Sequence, residues 1–310
     1  MESVSTRDAY GDTLLKFSDR PDVVVLDADL SVSTQTSKFA KMHPSRFIDV
    51  GCAEQNLMGV AAGLAVAGKV PFASTYAIFA MRAWEQIRNT IAHDKLPVKI
   101  AVSHAGLTNA PDGASHQSLE DLALMRAIPH MGVIIPSDAV ETREVVLSEA
   151  DRKGPAYIRL NRSKTPVLLD NDYTFKFGRA VTMREGSDVT IVATGTMVHH
   201  AIAASDLLKN EHIECGVVNV STLKPFDTAT ITKCAKNSGA VISIEEHCIY
   251  GGLGGAVAES LATEYPVPMR ILGVRDVFGE SGEYEQLLSK HRLDAKNLVL
   301  AAHELMRLKK

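Results

Sequence analysis

Short runs of β-branched residues alternate with longer segments of helical period along nearly the whole chain, and this alternation restricts the fold more than any other feature. Runs at residues 23–27, 70–74, 98–103, 133–135 and 156–160 are apolar on both faces, the pattern of parallel strands covered by helices on each side. Between them, segments 54–67, 77–94, 119–126 and 139–150 carry apolar residues at helical spacing. The periodicity lapses between about residues 162 and 187, where turn residues collect, and then resumes. Strands are predicted at 189–193, 215–220, 240–245 and 269–274, with helices at 198–209, 228–237, 253–264, 284–290 and 295–307. The pattern predicts an α/β protein of two domains, each a mostly parallel sheet with helices on both faces: residues 1–163, a linker over 164–187, and residues 188–310.

Composition supports two cores and excludes several functions. With 310 residues, 45% of them hydrophobic, the chain exceeds one average domain and has the apolar side chains to fill two. The net charge is −4 and the lysines and arginines are scattered among acids, so no basic stripe marks a nucleic-acid surface. No stretch approaches the ~20 apolar residues of a membrane span, and the opening MESVSTRDAY lacks the apolar core of a signal peptide. Cys52, Cys215, Cys234 and Cys248 lie far apart with no CxxC pair, which argues against a zinc site or a disulfide framework and suits a reducing, cytoplasmic setting.

Three motifs carry the chemistry. Glu54 opens a helix that is apolar on nearly all sides and is therefore expected to be buried along its length, with Gly59 and Gly63 permitting close approach of a backbone or ligand. A carboxylate at a helix N-terminus is favourable in its own right. In a partly apolar cavity the same group is able to exchange a proton with a bound heterocycle. Next, Tyr76, Phe79 and Arg82 recur at three-residue spacing after a predicted strand end, putting two rings and a cation at the carboxyl edge of a sheet. Such residues either pack into the core or form a wall for a flat heterocycle. Finally, a long loop after residue 103 holds His104, Asp112 and His116 among Gly106, Pro111 and Gly113. Their spacings fit no familiar zinc pattern, and no metal ligands are assigned; hydroxyl and anion recognition with proton transfer near neutral pH suits them better.

The segments GCAEQN, YAIFAMRAWEQ, HAGLTNAPDGASHQ, GGLGGAVAE and FGESGEYEQLL, in this order, resemble transketolase, specifically its pyrimidine-binding and C-terminal domains. The resemblance covers almost the whole chain and implies a thiamine-diphosphate enzyme that moves a two-carbon ketol unit from a ketose to an aldose. It implies that Glu54 hydrogen-bonds the aminopyrimidine ring of the coenzyme, that Phe79 stacks on that ring with Tyr76 flanking it, and that Arg82 borders the cofactor at a position that is not arginine in every branch. His104, Asp112 and His116 match substrate-contacting positions, Asp112 reading a hydroxyl beside the carbonyl and His116 assisting proton transfer. Arg7 and Ser33 match contacts to a sugar phosphate. One departure is Ile135, which stands where the resemblance places an arginine before a Pro-x-Asp element, and a fork of donors is thereby lost from anion recognition.

The resemblance also implies a missing half. The GDG motif and following Asn that hold Mg²⁺ and the diphosphate in full-length relatives do not occur in the 310 residues. The expectation is the C-terminal subunit of a split transketolase, joined to an N-terminal subunit in an α₂β₂ assembly acting on sugars or sugar phosphates. Two alternatives stay open at this point: the β subunit of another thiamine-diphosphate enzyme, of 2-oxoacid dehydrogenase or deoxyxylulose phosphate synthase type, and a non-catalytic regulatory subunit. GGLGGAVAE misses the spacing of a dinucleotide fingerprint and reads as a tight turn packing helix on sheet.

Overall fold

The computed structural model describes residues 2–309. Its strands, in chain order, are β1 Ser3–Val4, β2 Val23–Asp27, β3 Phe47–Asp49, β4 Val70–Tyr76, β5 Lys99–Ser103, β6 Gly132–Ile134, β7 Ala156–Arg159, β8 Thr165–Pro166, β9 Val181–Arg184, β10 Val189–Ala193, β11 Cys215–Asn219, β12 Thr222–Lys224, β13 Val241–Cys248 and β14 Met269–Val274. One seven-stranded sheet has the order β12-β6-β7-β5-β4-β2-β3 and is parallel except for β12. A five-stranded sheet has the order β14-β13-β10-β11-β9 and is parallel except for β9. β2, β5, β7, β10 and β11 are buried at every residue, as two-sided helix cover requires. The architecture is the expected pair of α/β layers.

Five short strands, β1, β3, β8, β9 and β12, fall outside the sequence expectation. β8 pairs with β1, β9 forms an edge of the second sheet although both lie in the stretch expected as linker, and the connector between sheets narrows to residues 167–180. β12, from the second half of the chain, closes the β6 edge of the first sheet. At two to four residues, these strands are too short to establish a period, and edge pairing is decided by tertiary contact. The connector is tied at both ends by helix N-cap aspartates. Asp138 caps the helix Ala139–Asp151 while its second oxygen accepts the amides of Leu168 and Leu169 at 2.7 and 2.9 Å. Asp227 caps Thr228–Ser238 and accepts the Ala180 amide at 3.0 Å.

Two helices also differ from expectation. The helix Glu54–Val66 is not buried along its length: Gln55, Asn56, Gly59, Gly63 and Val66 are exposed, and nothing lies within 4 Å of a Cβ placed on either glycine. Period alone cannot separate an apolar face that meets the core from one left open. The single helix expected over 77–94 is instead a helical turn Ala77–Ala80, a 3₁₀ turn Met81–Ala83 and a π-helical segment Gln86–Ala92. Tyr76 is therefore the last residue of β4, with its side chain fixed by the sheet.

The chain reverses direction across the first sheet between β2 and β4, since β3 lies to one side of β2 and β4 to the other. Open α/β sheets bind ligands at the carboxyl ends of strands beside such a switch point. The opposite end of β5 is held by a buried ionic cluster. Lys99 Nζ donates to the carbonyls of Arg152 and Gly154 at 2.8 Å each and lies 3.6 Å from Glu149, which also receives Arg152 Nε at 2.7 Å. Burial pushes the Lys99 ammonium down to about 8 against the pull of Glu149. Glu149→Ala leaves that cation without a carboxylate and is expected to lower stability by about 3–5 kcal/mol in equilibrium urea unfolding, whereas a loss below about 1 kcal/mol would contradict this account of β5.

Candidate active site

The carboxyl edge of the first sheet brings the predicted residues into one continuous run of contacts. β4 ends in Tyr76 and β5 ends one residue before His104, so strand pairing sets the two rings face to face, with centroids 3.8 Å apart and planes 23° apart. Phe79 stacks on the other side of this group, 5.4 Å from Tyr76 and within 9° of parallel. His116 meets Phe79 edge-on at 5.4 Å, and the Arg82 guanidinium covers Phe79 at 5.2 Å. Arg82 in turn lies 3.8 Å from the Glu54 carboxylate, which is 7% exposed.

His104 sits at the centre. It is 2% exposed and adopts a left-handed backbone, φ +57°, uncommon for a residue with a Cβ. Arg7 Nη1 lies 3.2 Å from His104 Nε2 and donates to the Ser33 carbonyl at 3.0 Å. A guanidinium has only donors, so Nε2 must accept, and the imidazole is neutral with its proton on Nδ1, donated to Ser103 Oγ at 2.8 Å. Burial, reinforced by the charges of Arg7 and Arg162, pushes the His104 pKa down to about 3.

Arg162 belongs to the site although no sequence motif singles it out. Its Nη1 donates to Asn109 Oδ1 at 3.0 Å and lies 3.9 Å from Asp112, so it holds the substrate loop from the strand-end side. A clasp explains its position: the Thr6 amide donates to Asn161 Oδ1 at 3.1 Å, and the Asn161 amide returns a bond to Thr6 Oγ1 at 2.8 Å. Residues 7 and 162, one step beyond each partner, are thereby brought side by side. Burial lowers the Arg7 pKa, and Arg162 lowers it further. The available signal is the polar Asn161-Arg162-Ser163 directly after an apolar strand, at the edge where sites form.

The Ile135 side chain is 3% exposed and packs between the sheets with Val192, Val218, Val220 and Leu223, close against Gly195. It lines a small cavity with Thr6, Ala105 and Asn161 and offers no donor there. Asp112 and Arg82 are exposed and Phe79 and His116 half-buried, which leaves the run open to solvent on one side. Among the described residues, no group of three or more His, Cys, Asp or Glu side chains is placed to hold a metal ion.

The GGLGG turn leaves no room for a phosphate. Glu245 accepts the Leu253 and Gly254 amides at 2.7 and 2.8 Å, and a Cβ on Gly252 would collide with the same carboxylate.

A buried carboxyl beside an aromatic wall, next to a polar loop with paired guanidinium groups, defines a candidate ligand site. Residues 2–167 match the transketolase pyrimidine binding domain and residues 178–298 the transketolase C-terminal domain. A solved structure of a split gene transketolase, an inactive β4 tetramer, is 51% identical, covers 99% of this chain and 100% of its own, and superposes with a TM-score of 0.93. The 6-deoxy-6-sulfo-D-fructose transketolase subunit of Clostridium sp. (strain MSTE9) is 43% identical over 300 residues, 96% of this chain and 93% of the relative. An apulose-4-phosphate transketolase subunit of Phocaeicola vulgatus is 36% identical over 307 residues, 98% of each. The chain belongs to the transketolase family, as the C-terminal subunit of a split enzyme that requires an N-terminal partner. The family depends on thiamine diphosphate.

The neutral His104 gives a direct check. Its imidazole resonances in ¹⁵N NMR are expected to stay flat between pH 5 and 8, because the folded pKa lies below that window. A titration centred near the ordinary ~6.5 would contradict the geometry.

Proposed function

We propose that this chain, with its N-terminal partner, transfers a two-carbon ketol unit from a ketose bearing an anionic end group to an aldose. The observation that carries the reading is the unbroken run Glu54, Arg82, Phe79, Tyr76, His104, Arg7, Ser33, with Arg162 and Asp112 alongside.

The residues fit the pyrimidine end of thiamine diphosphate. Glu54 offers a buried carboxyl to a ring nitrogen, Phe79 and Tyr76 offer stacking faces, and Arg82 borders Glu54. When bound, the coenzyme supplies a nucleophilic carbon and an electron sink for breaking the bond beside the ketose carbonyl. The diphosphate and Mg²⁺ are assigned to the partner subunit, since the GDG motif and following Asn that hold them in full-length relatives do not occur in the 310 residues. Neutral His104 keeps Nδ1 on Ser103, so a substrate hydroxyl reaches Nε2 by displacing Arg7, without adding charge, and Asp112 is read as accepting from the hydroxyl next to the carbonyl. His116, engaged through Nδ1 by Ser115 Oγ at 2.9 Å, keeps its other ring nitrogen for moving a proton as the bond breaks.

Two guanidinium groups beside one loop suit a phosphate or sulfonate equally, and two relatives are named for substrates with those groups. The solved relative's β4 tetramer is inactive, which supports a catalytic α₂β₂ assembly in which the N-terminal subunit covers the open side. The open face of the helix that starts at Glu54 offers surface for such cover. No helix is long and apolar enough to cross a membrane and all four cysteines are free, in keeping with a cytoplasmic location.

Two outcomes test the reading on the co-expressed complex with thiamine diphosphate and Mg²⁺. Glu54→Gln is expected to abolish two-carbon transfer while the subunits still co-purify; near-parental turnover removes Glu54 from the chemistry. Arg162→Ala and Arg7→Ala are each expected to raise KM roughly 10- to 100-fold for an anion-bearing ketose and to leave an uncharged ketose little changed. Equal effects on both substrates would contradict the anion assignment.

A further inference from the structure

The second sheet has a switch point of its own, at the carboxyl ends of β10 and β13, since the chain passes to one side of β10 through β11 and returns on the other through β13. The loop after β5 packs over it, leaving a small cavity lined by Ala105, Gly195, Thr196 and Glu246. Leu107, Ala110 and Leu119 belong to the core of the second sheet together with Val189, Ile191, Ile242 and Ile244. The loop that carries the substrate residues is therefore seated in the other domain.

Glu246 lies at the contact. It is 4% exposed, at the carboxyl end of β13, and its Oε2 accepts Tyr284 Oη at 2.7 Å and Thr196 Oγ1 at 2.9 Å. Those two hydroxyls fix the carboxylate against Gly106, where a Cβ would stand 2.6 Å from Oε1 and 2.8 Å from the Glu246 carbonyl oxygen. Gly106, two residues after His104, is itself left-handed at φ +64° and donates its amide to Ser118 O at 2.9 Å. Arg159 completes the arrangement from β7. Its guanidinium donates to Asp121 at 2.8 and 3.2 Å, to Ser118 O at 3.3 Å and to Glu246 O at 3.1 Å, so one buried side chain joins the C-terminal end of the loop to β13.

A left-handed conformation at a non-glycine residue persists only where its surroundings over-determine it. The loop has no sheet ladder beyond the single bridge Ala105–Ser118, so residues 104–106 are held on one side by Tyr76, Ser103 and Arg7 and on the other by the seat in the second domain. We infer that Glu246 is a positioning residue for the transfer reaction: packed against Gly106 from across the domain boundary, it holds His104 in its left-handed conformation under Tyr76. The C-terminal domain thereby sets the geometry of the substrate loop. This deepens the reading of His104 as a substrate contact and rests on it.

The test combines kinetics of the complex with crystal structures of this subunit. Glu246→Ala is expected to lower kcat/KM for the ketose donor roughly 10- to 100-fold. It is expected to add no further loss, within about twofold, in a His104→Ala background. Glu246→Gln, which keeps the volume against Gly106 and both hydroxyl contacts, is expected to return to within about twofold of the parent. Multiplying losses in the double variant, or a Gln variant as impaired as Ala, overturns the inference. Structurally, His104 is expected to leave the left-handed region in Glu246→Ala; retention of φ near its present value overturns the inference whatever the activity. Should Glu246→Ala not fold, Glu246→Asp carries the same comparisons. If the parent complex transfers no two-carbon unit while His104 still shifts in the variant, the functional reading fails and the positioning role stands.

Discussion

Two rings stacked 3.8 Å apart, Tyr76 at the last position of β4 and His104 immediately past β5, fasten the aromatic wall of the candidate site to the loop that follows β5. The pair is worth only about 0.5–1.5 kcal/mol beyond burial, so it cannot by itself hold a strained loop. It works because parallel pairing of β4 with β5 fixes both backbones in register first, Tyr76 opposite Ser103. With that register set, Phe79 extends the stack, Arg7 reaches the one acceptor that His104 offers, and a neutral imidazole follows from the donors around it.

Much of this is legible in the sequence because the relevant signals are local. Apolar runs mark the central strands, and polar or aromatic residues directly after them mark the carboxyl edge, which is enough to single out Glu54, Tyr76, Phe79, His104, Asp112 and His116. What escapes is decided between distant segments. Arg162 joins the site through a clasp between Thr6 and Asn161, 155 residues apart, and although Asn161-Arg162 follows an apolar strand, its pairing with Thr6 leaves no local trace. β12 joins a sheet built from the other half of the chain. The change of pitch after Ala80 leaves the apolar spacing nearly intact, so periodicity does not reveal it.

The two sheets are less separable than the alternating pattern suggests. The connector is pinned by Asp138 and Asp227, the first sheet borrows β12, and the substrate loop is seated in the second core. Each link satisfies buried polar groups that would otherwise be orphaned at the boundary. Together they close the candidate site on the side of the C-terminal domain and leave it open where Arg82, Phe79 and His116 reach the surface.

That openness is the central physical claim: this chain supplies the ring-binding and substrate-binding side of the site, and another polypeptide supplies the grip on the charged end of the coenzyme. Isothermal titration of thiamine diphosphate with Mg²⁺ into the isolated subunit and into the assembled complex tests it most directly. The account predicts saturable binding by the complex, one coenzyme for each pair of unlike subunits, and no saturable micromolar binding by the isolated subunit. Tight binding by the isolated subunit would contradict it.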